Sequence, residues 1–340
     1  MEPIALPQAV PVPTQERYTD ALEAELIRWL DQRKTVGNHY DLLAYHMGWA
    51  DESLRRCNGP RGKRFRPQLC LLACEAVGGD WRRALPIGAA IEFLHNFSLI
   101  HDDIEDHDEV RHHRSALWKL SGEPLAINAG DAMLALAGLA ALSVPDVAAE
   151  FQRTALALTE GQYLDMTFES RADVTVEQYF EMIGLKTGAL ITFACWAGGL
   201  VGNASIDQLE ALRRFGRHFG LAFQIFDDIR GIWAPVAQTG KAAGKDILNR
   251  KKSLPVLLAL GAASGADAAL LTGYYAQGAL AAPEEVAQAI ERLGVRPEVE
   301  RSLQRHLDQA FQTLDSVQFE GSIGDELREV AGALVGRESE

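Results

Sequence analysis

The chain has 340 residues and carries 33 Lys and Arg against 47 Asp and Glu, a formal net charge of −14. A general nucleic-acid binder needs a basic face to displace counterions, and an anionic membrane surface repels a chain of this sign, so both roles are set aside. At 47% hydrophobic and 24% charged residues the composition is that of a globular protein with room for a large core.

The first fifteen residues, with Pro3, Pro7, Pro11 and Pro13, read as an extended, flexible leader (1–15), and a single domain is expected over 16–340. The leader lacks the basic and apolar regions of a signal peptide. No uninterrupted apolar run approaches the roughly 18–20 residues that span a bilayer, so a soluble, cytoplasmic protein is expected. Cys57, Cys70, Cys74 and Cys195 are too few for a disulfide framework and read as reduced thiols.

From there the apolar spacing is three and four, the helical period. It predicts helices over Tyr18–Val36, Gln68–Val77, Pro86–Val110, Pro124–Leu142, Asp146–Phe168, Val176–Leu200 and Ile206–Trp233. Further helices are expected over Leu254–Gly261, Ala266–Gln277, Pro283–Leu293, Glu298–Val317 and Gly324–Val335, with an irregular stretch at Ala234–Arg250. No window alternates around a hairpin turn, so the class is all-α.

The acids concentrate after the buried-looking run IEFLHNFSLI, where Asp102, Asp103, Glu105, Asp106, Asp108 and Glu109 fall within ten residues. Like charges at this spacing repel along a helix. Asp102, Asp103 and Asp106 share one side of it, which suits either a solvated helix end or a hard cation such as Mg2+. A second pair, Asp227 and Asp228, ends another apolar helix, with Gln224 one turn earlier. Two acid-ended helices facing each other would clamp a metal-bound diphosphate. Basic residues complete the set: Lys63, Arg64 and Arg66 in a Gly- and Pro-bounded turn, Arg111 and Arg114 after the first acids, Lys186 with Thr187, then Lys241, Lys245, Lys251 and Lys252. Arginine suits bidentate phosphate binding and lysine serves as a point charge.

Taken in order, Gly62-Lys63-Arg64-Phe65-Arg66-Pro67, His95, Asp102-Asp103-Ile104-Glu105-Asp106 with Arg111, Gly161-Gln162 with Asp165, Lys186-Thr187, Phe223-Gln224 with Asp227-Asp228, Gly240-Lys241 with Gly244 and Asp246, and Lys251 with Ser253-Leu254-Pro255 resemble the all-trans isoprenyl diphosphate synthases of the polyprenyl synthetase family. The resemblance implies the isoprenoid synthase fold, about ten core helices around a deep central cavity, usually as a homodimer. It implies condensation of isopentenyl diphosphate with an allylic diphosphate and release of pyrophosphate. Asp102, Asp103, Asp106, Asp227 and Asp228 would hold about three Mg2+ ions, a number set by the family pattern. Arg111, Lys186, Thr187, Gln224, Lys241 and Lys251 would bind the allylic diphosphate, and Lys63, Arg66, His95 and His112 the isopentenyl diphosphate.

Departures from the family pattern are His112 for a second Arg, Ser115-Ala116 for Pro-Thr, Gly231 for the last Asp of the second motif, and Arg250 for Gly. Phe97 and Ser98, five and four residues before Asp102, lie ~7.5 Å or less down the helix axis, where a growing tail would meet them. A large residue followed by a small one there resembles enzymes making C20 geranylgeranyl diphosphate, and C15 farnesyl diphosphate is the alternative product. The alternatives are a class I terpene cyclase on the same fold and a non-catalytic regulatory subunit of a synthase. Lys63, Arg66 and His95 weigh against the cyclase, which needs no isopentenyl site.

Overall fold

The computed structural model describes residues 13–32, 36, 38–60, 62–233, 245–276 and 278–336. Helices α1 (Pro13–Asp31), α2 (His39–His46), α3 (Phe65–Ala76), α4 (Leu85–Glu105), α5 (Leu117–Ser121), α6 (Glu123–Leu142), α7 (Pro145–Glu169), α8 (Val176–Ile183), α9 (Ala189–Val201) and α10 (Ile206–Trp233) make the first part of the bundle. They are followed by α11 (Lys245–Leu248), α12 (Leu254–Ala262), α13 (Gly265–Ala276), α14 (Pro283–Arg292), α15 (Arg296–Asp315) and α16 (Ile323–Leu334). The all-α class is as expected. Helix α1 begins at Pro13, inside the span read as a leader, and positions 1–12 lie outside the described residues.

Helix α4 is the central rod. It is apolar on most faces and packs mainly against α6 and α3, while α9 lies against α3 and α10, and α10 against α15. Leu22, Leu71, Phe93, Met133, Phe151, Phe193 and Phe219 meet in this core. A smaller apolar cluster, with Ile247, Val256, Leu271, Tyr274 and Ile290, joins α11–α14. Cys70, Cys74 and Cys195 are buried and Cys57 is exposed, all as thiols.

Several local features differ from the sequence reading, among them the short α11 inside the stretch expected to be irregular. The run expected over 86–110 stops at Glu105, where clustered carboxylates repel. A two-stranded antiparallel ribbon, Val110–Arg111 with Arg114–Ser115, follows it. Its strands are too short to show an alternating pattern, and its turn places His112 and His113 at φ 51° and 60°, positions that usually take Asn or Gly. The run over 176–200 is broken by a π-helical turn, Gly184–Gly188. Two stretches, Glu123–Leu142 and Val176–Val201, are long and apolar enough to cross a membrane by length and composition, which interruptions such as Asp131 and Lys186 conceal in the sequence. Both are integral parts of the helical packing.

Candidate active site

The first wall is the end of α4. The backbone N–H groups of Asp106 and Asp108 donate to the carbonyls of Asp102 and Asp103, each at 2.8 Å, and close the helix. The ribbon then folds the chain back over its own acids. Arg111 Nε donates to Asp103 Oδ1 at 2.9 Å, and its Nη2 reaches the same oxygen and Asp102 Oδ2 at 3.5 Å. Burial alone would lower the Arg111 guanidinium, but Asp103, Asp102 and Asp106 outweigh it and raise it. Asp103 is buried.

Helix α7 supplies the adjoining side. Gln162 Nε2 donates to Asp102 Oδ1 at 3.2 Å and to Glu105 Oε2 at 2.6 Å. One turn on, Asp165 Oδ2 accepts from Lys186 Nζ at 2.5 Å and lies 3.7 Å from Lys251 Nζ. Lys186 also reaches Asp102 Oδ1 at 3.5 Å, and Lys251 donates to Asp106 Oδ2 at 2.9 Å. The wide π turn carries Lys186 here, and such turns recur at functional sites. It needs Gly161 opposite, since a Cβ there would lie 2.3 Å from the Lys186 backbone nitrogen. Burial would neutralise both partners, yet the pair keeps Asp165 below and Lys186 above their ordinary values, so both stay charged. Lys251 is raised likewise, by Asp165 and Asp106 against burial.

From the same turn, Thr187 Oγ1 donates to Gln224 Oε1 at 2.7 Å, and Gln224 Nε2 donates to Asp228 Oδ1 at 3.1 Å. The contacts therefore run unbroken from α4 to α10. The two acids of α10 divide their work. Asp228 is buried, and its Oδ2 accepts from Tyr179 Oη at 2.7 Å and the Leu254 N–H at 3.0 Å. Burial and then Asp246 push its carboxyl up to about 7, against those donors. Expected from sequence as a metal ligand, Asp228 instead has both oxygens turned to protein donors and anchors the end of α12. Asp227 lines the cavity. A Cβ at Gly231 would lie 1.9 Å from Asp246 Oδ2, so the Asp246 carboxylate fills the space a side chain at 231 would take.

Beside Asp227 opens a cavity of about 230 Å3, lined by Lys63, Arg66, His95, Leu99, His112, Phe223, Arg230 and Leu334 among others. Arg66 Nη1 lies 3.1 Å from His95 Nε2, and its guanidinium rests 4.5 Å from the Phe65 ring centre. Burial pulls Arg66 down to about 10. Burial, then Arg66 and Arg111, hold His95 well below its ordinary value, so its neutral ring accepts from Arg66. Desolvation followed by Arg111 lowers His112 too. Lys63 is lowered by desolvation and then by Arg230.

The structure thus joins Asp102, Asp103, Asp106, Arg111, Lys186 and Lys251 in one contact network and Lys63, Arg66, His95, His112 and Asp227 around one cavity, with Thr187, Gln224 and Asp228 linking α10 to the π turn, and with exceptions. Arg64 points into the fold, donating to Glu23 at 3.0 Å, Glu92 at 2.7 Å and the Met47 carbonyl at 2.9 Å. Phe97 and Ser98 do not line the cavity beside Asp227. Phe97 is buried with its ring 4.8 Å from that of His101, and Ser98 Oγ donates to the His95 carbonyl at 2.7 Å. Lys241 lies outside the described residues. Arg230 and the bridging role of Asp165 were not assigned from sequence, and Asp246 was legible only as part of the family pattern, without a role. A charged residue inside the second acidic motif was the one signal for Arg230.

Mg2+ is hard and commonly takes one or two carboxylates, with phosphate and water completing its shell. Asp102, Asp103, Asp106 and Asp227 offer such oxygens next to cations suited to phosphate. Among the described residues no three His, Cys, Asp or Glu converge as a finished cage. The donor set therefore fits a cation whose shell a bound diphosphate completes, and not a resident structural metal.

An all-helical fold with acidic motifs on α4 and α10, and three cations gathered over the first of them, defines an enzyme of the isoprenoid synthase class. The polyprenyl synthetase family model matches residues 47–293. The chain is 38% identical over 308 residues to a (2E,6E)-farnesyl diphosphate synthase of Mycobacterium tuberculosis, covering 88% of this chain and 86% of that one. It is 40% identical to a geranylgeranyl diphosphate synthase of the same organism, over 72% and 71% of the two chains. The crystal structure of a polyprenyl synthetase from Streptomyces coelicolor superposes with a TM-score of 0.84 at 35% identity, covering 95% and 98%. The chain belongs to the polyprenyl synthetase family and is a prenyltransferase of isoprenoid biosynthesis.

Proposed function

We propose that this prenyltransferase condenses isopentenyl diphosphate with an allylic diphosphate, with C20 geranylgeranyl diphosphate as the main product and C15 farnesyl diphosphate as its precursor. The observation that carries the reading is the gathering of Arg111, Lys186 and Lys251 over Asp102, Asp103, Asp106 and Asp165 at the head of the helical core. Relatives named for both products leave the length to this chain's own residues, and Phe97 before Ser98 favours C20.

Asp102, Asp103 and Asp106 on one wall and Asp227 on the other would hold Mg2+, with Asp228 fixing the position of Gln224. When bound, Mg2+ stabilises the charge that develops on the leaving diphosphate. Arg111, Lys186 and Lys251 share that task, each released from its carboxylate partner as phosphate oxygens take its place. As the allylic C–O bond breaks, its electron pair leaves with the diphosphate. The isopentenyl double bond then attacks the allylic cation, and a proton is lost to the released pyrophosphate. Lys63, Arg66, His95 and His112 would position the isopentenyl diphosphate, and the apolar helices keep water from the cation. A soluble homodimer is part of the proposal.

The test is incubation of the purified chain with labelled isopentenyl diphosphate, each allylic primer and Mg2+. Incorporation into a C20 diphosphate is expected, with loss of turnover and an unchanged circular dichroism spectrum in Asp102→Ala. Hydrocarbon formed without incorporation would favour a cyclase. Activity appearing only on mixing with another synthase would favour a regulatory subunit.

A further inference from the structure

The cavity beside Asp227 contains more permanent charge than the four residues assigned to it from sequence. Its lining cations are Lys63, Arg64, Arg66 and Arg230; Arg64 is spent on Glu92 at 2.7 Å and on Glu23 at 3.0 Å, and Glu92 also accepts from Asn96 at 2.8 Å, which leaves Lys63, Arg66 and Arg230. Asp227 is the other acid of the lining. The two imidazoles, His95 and His112, are both held toward their neutral forms, so each offers at most one N–H and no charge near pH 7. Three side chains therefore supply the fixed positive charge of the pocket, against one carboxylate. Lys63 and Arg66 enter from the start of α3. Arg230 enters from α10, one helical turn past Asp227 and on the same wall. Its guanidinium sits 5.8 Å from the centre of the Phe226 ring, which steadies a planar fork of donors at the rim.

An enclosed excess of positive charge calls for an anion of at least two charges. Resting on the reading that this cavity takes isopentenyl diphosphate, we propose that Arg230 is a substrate-binding residue that grips its diphosphate from the α10 wall. The Lys63 and Arg66 side chains hold the diphosphate from the α3 side. Because Arg230 lies one helical turn past Asp227 on the same wall, it also sets the diphosphate of the second substrate against the wall that faces the first.

Steady-state kinetics on the full-length chain test this. Arg230→Met is expected to raise KM for isopentenyl diphosphate about tenfold or more, the loss typical of one charged hydrogen-bonding partner, with KM for the allylic diphosphate unmoved. Arg230→Lys should recover part of the loss. Adding His112→Arg to Arg230→Met should recover it further, by returning a guanidinium to the opposite rim, which a merely structural role would not allow. An Arg230→Met enzyme with an unchanged KM for isopentenyl diphosphate overturns the assignment. So does a change confined to the Mg2+ requirement or to the allylic KM, which would make Arg230 a partner of Asp227. A wild-type chain that incorporates no isopentenyl diphosphate fails at the earlier step and overturns the functional reading itself.

Discussion

Three basic residues follow Gly62 within four positions, and the fold gives them two different tasks. All three border the cavity, but Arg64, at φ 53°, spends its guanidinium on Glu23 and Glu92, whereas no carboxylate pairs as closely with Lys63 or Arg66 among the ion pairs of the described residues. One backbone residue in the left-handed region is enough to reverse the direction of a side chain, and composition carries no trace of it. The same limit applies to Asp227 and Asp228, adjacent in sequence but divided between cavity and core. Phe97 is the residue to which the proposed product length is assigned. Its ring is buried on α4, five residues before Asp102, with the His101 ring stacked edge-on beside it. On the other side of His101, α6 comes so close that a Cβ at Gly130 would lie 2.2 Å from His101 Nε2, so this layer has no spare room. Phe97→Ala removes the largest side chain of the layer and should shift products beyond C20, read by chromatography of the dephosphorylated alcohols. An active Phe97→Ala enzyme with the wild-type product distribution would refute the role.

At the scale of elements, the long apolar runs were legible because burial on several faces leaves a helical period that nothing else imitates. Thus α6, expected over Pro124–Leu142, spans Glu123–Leu142, and α10 begins and ends where its pattern does. Short pieces were not legible. Helix α2 and the ribbon at 110–115 are too brief for a period to emerge, and the π turn at 184–188 changes hydrogen-bond partners without changing composition. Of the candidate site, the acids and lysines were readable as a set, but the pairing of Asp165 with both Lys186 and Lys251 depends on how α7 is placed beside the π turn. The seam between α10 and α15 provides a further test. His218 and His306 meet there with Nδ1 atoms 3.4 Å apart, and the Phe180 ring lies 5.5 Å from His306. Burial, then His218, Arg305 and Arg217, hold His306 down to about 4, against 6.5 for an ordinary histidine. The unfolded chain therefore takes up the proton first. The stability this seam contributes is present above pH 6.5 and is lost as pH falls from there toward 4. His306→Gln should flatten the fall of Tm between about pH 7 and pH 5 relative to wild type. Parallel slopes for the two proteins would show that His306 is not the group responsible.

At the scale of the whole molecule, a net charge of −14 is compatible with diphosphate substrates because local sign differs from the global sum. Arg111, Lys186 and Lys251 stand against the carboxylates at the end of α4 and on α7 and partly neutralise them. The outer faces of α6 and α7 present a different imbalance. Leu125, Ile127, Leu139 and Leu142 on α6, and Leu156, Tyr163 and Met166 on α7, are exposed, with Leu142 at 60% and Tyr163 at 67%. Leu139 and Leu142 are three residues apart, as are Tyr163 and Met166, and Leu156 lies seven before Tyr163, so they recur on one side of each helix, and the two helices pack side by side. Covering such surface yields about 25 cal/mol per Å2, which makes it a natural contact for a second copy of the chain. The contact would also brace the site, because α6 supports α4 behind Asp102 and α7 carries Gln162 and Asp165. The double variant Leu142→Glu, Leu156→Glu places like charges on this surface while leaving the core untouched. It should sediment as a monomer where the wild-type chain sediments as a dimer, with circular dichroism unchanged. Retention of the dimer in the double variant would move the subunit contact to another face, and a monomeric wild-type chain would remove it altogether.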